Sequence, residues 1–472
     1  MLRMSAAAQW IGAERRGKDV EFSGVVTDSR AIVPGALFVA LRGERFDGHD
    51  FVAQALAQGA AAALVEHADA AWGEIPLLLA ADTRLALGRL AAQWRSQLPV
   101  AVAAVTGSNG KTTVKEMLSA ILRVQAGDAA VLATVGNLNN DIGVPLTLLK
   151  LNAGHRYAVI EMGMNHPGEI AYLSGLARPG VALVNNAQPA HLAGFPLPNP
   201  LPQAGEGANV KGACFDPVEA VARAKGEIFL GLADNGAAVI NADDPYAPLW
   251  RELAGGRKIM SFGLGKDADV SATFRLLPVC SELAVSTPQG GFDLTLQAPG
   301  EHNVRNALAA TAAALALGAA PETIARGLAG FVPVKGRLQA KPALHGGTLI
   351  DDSYNANPGS VRAAIAALAA IPGKRVLVLG DMGELGAEAP RLHREIGAYA
   401  KQAGIERLLL LGEMGREAAA GFGVGAQHFE YIEDLLHEAE NLLAPGVTLL
   451  VKGSRFMKME RVVQSLEREA TT

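Results

Sequence analysis

Cysteine, aromatic residues and net charge are all scarce in this chain. Of its 472 residues only two are cysteine, Cys214 and Cys280. That excludes a disulfide framework and a cysteine-built metal site, and it suits a reducing compartment. Lysine and arginine total 42 against 47 acidic residues, a net −5, which excludes a basic nucleic-acid-coating protein. Long apolar runs are missing too. The longest uncharged apolar stretch, Asn306 to Ala320, is too short and too alanine-rich to span a bilayer. The first residues, MLRMSAAAQWIGAERRGKD, contain no apolar segment of signal-peptide length, so none is expected. Aromatics are 5% while glycines number 53, a balance that suits an α/β enzyme with many tight turns. With 50% hydrophobic and 19% charged residues, disorder throughout is excluded. At about 150 residues per domain the length predicts about three domains. The expectation is a soluble, cytoplasmic, multidomain protein.

Apolar runs then mark the strands. Val25–Thr27, Ala36–Leu41, Ala61–Val65 and Leu77–Ala80 read as strands, and Phe51–Gln58 and Thr83–Arg95 as helices. Pro99 is a plausible boundary. Val100–Val105, Tyr157–Ile160 and Val181–Val184 predict buried parallel strands. Arg375–Leu379, Leu408–Leu411 and Thr448–Val451 each precede a Gly-containing loop and a helical pattern. Such repetition predicts an open, mostly parallel sheet with ligands at the strand ends. Phe195–Pro217 breaks the rhythm, with prolines at 196, 198, 200 and 202. It reads as a flexible surface excursion.

The strongest motif is TGSNGKTT at Thr106–Thr113. Between a buried strand and the helical pattern Val114, Met117, Leu118, Ile121, Leu122, it reads as a phosphate loop. Gly107, Ser108, Asn109 and Gly110 bring backbone N–H groups to phosphate oxygens, Lys111 reaches the β/γ-phosphates, and the Thr112 hydroxyl binds Mg²⁺. Val105 stands where the usual spacing has glycine, so the loop is a shortened variant. Glu161, ending a buried strand, is placed to hold Mg²⁺, with a surface or capping glutamate as the alternative. Lys225 falls in the apolar stripe of a helix predicted over Asp216–Leu232, opposite Glu219, Arg223 and Glu227. Either its stem snorkels, or the buried amine reacts with CO₂ to give a metal-ligating carbamate. His191 is a neutral imidazole ligand or a structural histidine. Asp28-Ser29-Arg30, and Arg42-Gly43 with Phe46-Asp47-Gly48-His49, are candidate loops for a second nucleotide-like ligand or ordinary turns. His302, Asn303 and Asn306 open an alanine-rich helix and either face a base or ribose or serve as a cap.

These residues, with VTDSR, LFVALRGERFDGHDF, GNLNNDIGVP, EMGMNHPGEI, PAHLAGF, ARAKGEIF, INADDP, GEHNVRNALAA, GRLQ, LIDDSYNANP, LGDMGELG and VKGSR, resemble the ATP-dependent Mur ligases over nearly the whole chain except 196–217. TGxNGKT is shared with folylpolyglutamate synthetases, while LNNDIGVP and DDSYNANP resemble the branch that adds D-alanyl-D-alanine to UDP-N-acetylmuramoyl-tripeptide. The resemblance implies an ATP-dependent amide ligase of peptidoglycan precursor synthesis that works through an acyl phosphate. It implies a UDP-substrate domain (1–98), an ATP domain (99–330) and a Rossmann-like domain (331–472) that closes over both. It implies uridine near Ser29 and Arg30, with Thr134 and Asn137 to Asn140 toward the muramoyl-peptide. ATP meets the loop through Thr113, and Mg²⁺ meets Thr112, Glu161, His191 and carbamylated Lys225. His302, Asn303, Asn306 and Asp352 approach the adenosine. Arg337, Tyr354, Asn355, Asn357, Lys452 and Arg455 belong to the closing interface or dipeptide site. The partners implied are the two substrates alone, with no nucleic acid or membrane, and a monomer. A diaminopimelate- or lysine-adding Mur ligase, or a folylpolyglutamate synthetase, is the neighbouring alternative. A nucleotide-hydrolysing switch would need a guanine-reading NKxD, which is not found; NNAQPAH stands there instead. An insertion that impairs an inactive paralogue is a third reading. Thirty-three residues separate His191 from Lys225, so the excursion must loop outward for both to reach one site.

Overall fold

The computed structural model describes residues 1–43, 46–188, 217–265 and 267–468. Three domains of α/β type are each built around a sheet. The central one explains the site. Its six strands run in the order Lys258–Phe262, Ala237–Asn241, Val181–Val184, Ala101–Thr106, Tyr157–Glu161, Val131–Ala133. All five pairings are parallel. Side chains alternate between faces along a strand. Ala103, Val105, Val159, Leu183 and Val239 therefore pack on helices Lys111–Ala126 and Glu301–Ala316. Val102, Ala104, Ala158, Ile160 and Val184 meet helices Glu169–Ala177, Pro217–Gly226 and Ala247–Ala254. Burial on both faces is why these strands read as unbroken apolar runs. The helix after the phosphate loop buries Val114, Met117, Leu118, Ile121 and Leu122 completely. At roughly 1.5–3 kcal/mol per fully buried side chain, that face anchors the loop firmly. The chain leaves Ala101–Thr106 toward one sheet edge and later returns to its other side at Val181–Val184, so a switch point lies above these two strands.

The first sheet runs Glu14–Arg16, Leu77–Leu79, Ala62–Val65, Leu37–Val39, Val25–Val26. The last runs Gln339–Pro342, Thr348–Asp352, Val447–Lys452, Lys374–Gly380, Arg407–Leu411, Ala426–Phe429, with only its first edge pairing antiparallel. A three-stranded antiparallel sheet, Ser271–Leu276, Ser281–Ser286 and Phe292–Leu296, was not expected from the sequence. The predicted helix over Asp216–Leu232 is shorter: α-helix covers Pro217–Gly226, and Glu227–Gly231 tightens to a 3₁₀ turn. Glycine at 226 leaves the helix no side chain with which to continue packing, and Leu253 sits where its Cβ would be. Among the described residues no helix is long and apolar enough to cross a membrane. The proline-rich excursion lies almost wholly outside the described residues.

Candidate active site

The loop above strand Ala101–Thr106 tolerates glycine only. A Cβ at Gly107 would lie 2.9 Å from Asn185 Cβ, and one at Gly110 would lie 2.3 Å from Asn306 Oδ1. Gly110 is also left-handed, with φ 78°, and immediately precedes helix Lys111–Ala126. An asparagine lattice holds the loop's shape. Asn109 N–H donates to Asn186 Oδ1 at 2.8 Å, and the Asn109 carbonyl accepts from Asn185 Nδ2 at 2.9 Å. The same Asn185 amide donates to Asn306 Oδ1 at 3.0 Å. Asn306 is thus bonded to the loop's frame, and the helix it sits on has no side-chain cap.

Lys111 Nζ donates to Gly107 O at 2.6 Å and Ser108 O at 3.3 Å. Burial lowers its pKa, while the carboxylates of Glu161 and Glu384 oppose that shift. Glu161 is 2% exposed, and its Oε2 is buried without a hydrogen-bond partner. Lys225 is 1% exposed. Burial, then repulsion from the Lys111 ammonium, hold its pKa well below the usual lysine range. A stem reaching solvent does not fit that burial. His191 lies outside the described residues.

Beside the loop opens a cavity of about 420 Å³ between the second and third sheets. Asn109, Gly110, Thr113, His302, Asn303, Asn306, Arg337, Asp352 and Lys452 all line it. Asn185, Asn241, Asp243 and Arg305 line it as well. The signal for Asn185, Asn241 and Asp243 was a polar run at the end of a buried strand, at NNAQ and at NADD; Arg305 stands in GEHNVRN. Asp243 accepts from Leu264 N–H at 2.7 Å and pairs with Arg305.

His302 faces this cavity. Burial, reinforced by the Lys452 ammonium, lowers its pKa from 6.5 to about 4. Between those values the unfolded chain binds more protons than the folded one, so stability falls as pH drops from 6.5 to about 4. In urea titrations across that window, His302→Gln is expected to flatten the decline. An unchanged slope would show that the imidazole is not held neutral by the fold.

The C-terminal domain docks on the loop. Asn357 Nδ2 donates to Asn109 Oδ1 at 2.7 Å, and Asn109 Nδ2 returns a bond to Asn357 Oδ1 at 3.2 Å. Asn357 is also the N-cap of helix Pro358–Ala369, so its direction is set by a capping box with Ser360. Arg337 Nη2 reaches the Thr112 hydroxyl at 3.4 Å, with its guanidinium 4.4 Å from the Tyr354 ring centroid. Arg455 approaches the same ring at 5.7 Å. Lys452 Nζ bonds Asp352 Oδ2 at 2.6 Å and Asn355 O at 2.9 Å, which holds Lys452 in the cavity wall. If the Asn109–Asn357 pair forms during turnover, Asn109→Ala and Asn357→Ala should be non-additive in kcat/KM by about 0.5–3 kcal/mol. Additivity within error would show that the two domains do not meet there during catalysis.

One placement corrects the expectations. Thr134 does not face the cavity: it is 1% exposed, and its hydroxyl accepts the Glu161 N–H at 3.0 Å. Asn140 is exposed, and its Oδ1 accepts Gly143 N–H at 2.9 Å. Asn137 is exposed on the same segment. Ser29 and Arg30 lie apart from the cavity, Arg30 folded onto Asp28 at 2.8 Å. Beyond ordinary turns, the neighbouring loop is cross-linked: Arg42 bridges Asp47 and Glu66, and His49 accepts from Glu66 N–H at 2.9 Å.

A phosphate loop at a switch point, capped by a second doubly wound sheet, defines an ATP-dependent ligase that forms an amide bond. The chain belongs to the Mur ligase family. The Mur ligase middle domain matches residues 105–197 and 213–314, the Mur ligase glutamate ligase domain 336–455, and the Mur ligase family catalytic domain 21–95. The break at 198–212 falls inside the proline-rich excursion. The chain is similar to the UDP-N-acetylmuramoyl-tripeptide–D-alanyl-D-alanine ligase of Escherichia coli, 45% identical over 99% of both chains. The ligase of that name from Bacillus subtilis is 37% identical over 94% of this chain and 93% of its own. Among solved structures, MurF from Acinetobacter baumannii superposes with a TM-score of 0.87, at 39% identity over 98% of this chain and 97% of that one. MurF ligase from Thermotoga maritima in complex with ADP gives a TM-score of 0.80, at 28% identity over 94% of this chain and 96% of that one.

Proposed function

We propose that this chain joins D-alanyl-D-alanine to UDP-N-acetylmuramoyl-tripeptide, with ATP giving ADP and phosphate. The observation that carries the reading is the loop Gly107–Thr112, held by asparagines from two segments and met by Asn357 of the closing domain. The tripeptide carboxylate oxygen attacks the γ-phosphorus of ATP, and the bond to the ADP oxygen breaks. The amine of D-alanyl-D-alanine then attacks the acyl carbon, phosphate leaves, and the amine proton passes to solvent. Lys111 offsets charge on the transferring group, and the docked third domain excludes the water that would hydrolyse the acyl phosphate. Domain divisions near 98/99 and 330/331 suit this closure.

Glu161 Oε2 is the kind of buried, unpartnered acceptor that a hard cation satisfies. Thr112, Glu161 and Lys225, with His191, would hold Mg²⁺, which when bound neutralises phosphate charge. A carbamate on Lys225 would add two anionic oxygens to the Glu161 carboxylate and the Thr112 hydroxyl, hard ligands of the kind Mg²⁺ prefers. The neutral amine adds to CO₂, a C–N bond forms, and one proton passes to solvent. ATP and a nucleotide-linked substrate suit a cytoplasmic enzyme.

The test is ADP release with UDP-N-acetylmuramoyl-tripeptide, with and without D-alanyl-D-alanine. Release that requires both, and that diaminopimelate, lysine or glutamate does not support, is the expected result. Turnover with a free amino acid instead would move the chain to a neighbouring branch.

A further inference from the structure

We infer that Asn139 is the positioning residue for Glu161: it takes one carboxylate oxygen and so leaves the other for the divalent cation. The inference rests on the metal reading above. Asn139 Nδ2 donates to Glu161 Oε1 at 2.8 Å, while Oε2 is buried and unpartnered. A carboxylate with two bare oxygens could rotate; one clamped at Oε1 cannot turn without losing that bond. The backbone of Glu161 is pinned as well. Its N–H donates to Thr134 Oγ1 at 3.0 Å, and the Thr134 carbonyl accepts from buried Lys115 Nζ at 2.6 Å. The phosphate-loop helix, which carries Lys115, therefore sets the height of Glu161 above the sheet.

Asn139 is held just as firmly. Its carbonyl accepts Gly163 N–H at 2.8 Å. Its amide lies so close over Gly163 that a Cβ there would sit 3.0 Å from Oδ1 and 3.2 Å from Nδ2. On either side the segment is fastened, by Asn140 to Gly143 and by Asp141 to Arg84 at 2.6 Å. The sequence alone put Asn139 with the substrate-facing asparagines; its amide turns to the carboxylate instead. Partners that orient a metal ligand typically carry about 10–100-fold of metal affinity.

The experiment is Mn²⁺ binding to the full chain with ADP, read as loss of the free Mn²⁺ paramagnetic resonance signal. ADP affinity is measured separately in EDTA. Asn139→Leu keeps the volume and removes the donor. It is expected to weaken Mn²⁺ about tenfold and to leave ADP affinity in EDTA unchanged. Gly163→Ala, whose methyl displaces the Asn139 amide, should shift Mn²⁺ affinity in the same direction by less. Unchanged Mn²⁺ affinity in Asn139→Leu overturns the inference. If that variant does not fold, unchanged affinity in Gly163→Ala overturns it. Glu161→Gln separates the two readings. Retained Mn²⁺ affinity there sinks the metal assignment itself, whereas loss there with none in Asn139→Leu sinks only the positioning role.

Discussion

Lys111→Ala is expected to lower the rate of ADP formation by about 10²–10³-fold, the usual loss when one preorganised charge donor is removed from a transition state. The fold should survive. Lys111 is the first residue of helix Lys111–Ala126, where alanine is at least as good a helix former. Among the described residues its hydrogen bonds are to the loop carbonyls of Gly107 and Ser108, which the asparagine lattice holds independently. In the folded chain the ammonium lies within electrostatic reach of Glu161 and Glu384, one from each side of the closing interface. The charge is thus placed where phosphate oxygens would arrive, and its energetic value grows as they gain charge in transfer. The decisive pair of measurements is initial rate of ADP release and thermal midpoint. A near-normal rate in a folded variant would remove the phosphate-loop assignment. A collapsed midpoint would show that the lysine is structural.

How far the sequence was legible follows from what kind of order each element has. The central strands were readable because burial on both faces writes them as continuous apolar runs, correct to within a residue or two at Ala101–Thr106, Tyr157–Glu161 and Val181–Val184. Glu14–Arg16 is exposed along its length and carries no such run. Gln339–Pro342 is an edge strand with a proline, which argues against a strand when read alone. Ser281–Ser286 alternates buried and less buried positions, a period-two signal that was present and not taken up. The phosphate loop was legible because its chemistry is local. Asn109 and Asn357 are 248 residues apart, and no spacing rule pairs them. Resemblance names Thr134 and Asn140, but it does not say which of their atoms are free. Their hydroxyl and amide oxygens are spent on the N–H groups of Glu161 and Gly143.

The sharpest remaining expectation concerns Lys225. Lys225→Ala should lower turnover by about 10²-fold or more, a few kcal/mol at about 1.4 kcal/mol per tenfold. Its side chain is 1% exposed on a helix that otherwise packs Val221, Ala222 and Ala224 against the sheet. A protonated amine there is disfavoured twice, by burial and by the Lys111 ammonium. Both effects favour the neutral nitrogen that adds to CO₂. The product reverses the sign of the charge and supplies two oxygens, the hard ligands Mg²⁺ prefers. Alanine leaves room at that position, so acetate or formate added to Lys225→Ala should restore part of the rate by occupying the vacated ligand place. Lys225→Arg should stay inactive, because guanidinium keeps its charge and forms no carbamate. A purely packing role predicts the reverse: arginine tolerated and no rescue by carboxylate. Carbon-13 resonance after equilibration with labelled bicarbonate reads the modification without turnover. A carbamate signal present in the parent chain and missing in Lys225→Arg is the expected outcome. An active parent chain without that signal would leave Lys225 an ordinary buried amine and require another source of anionic oxygen beside Glu161.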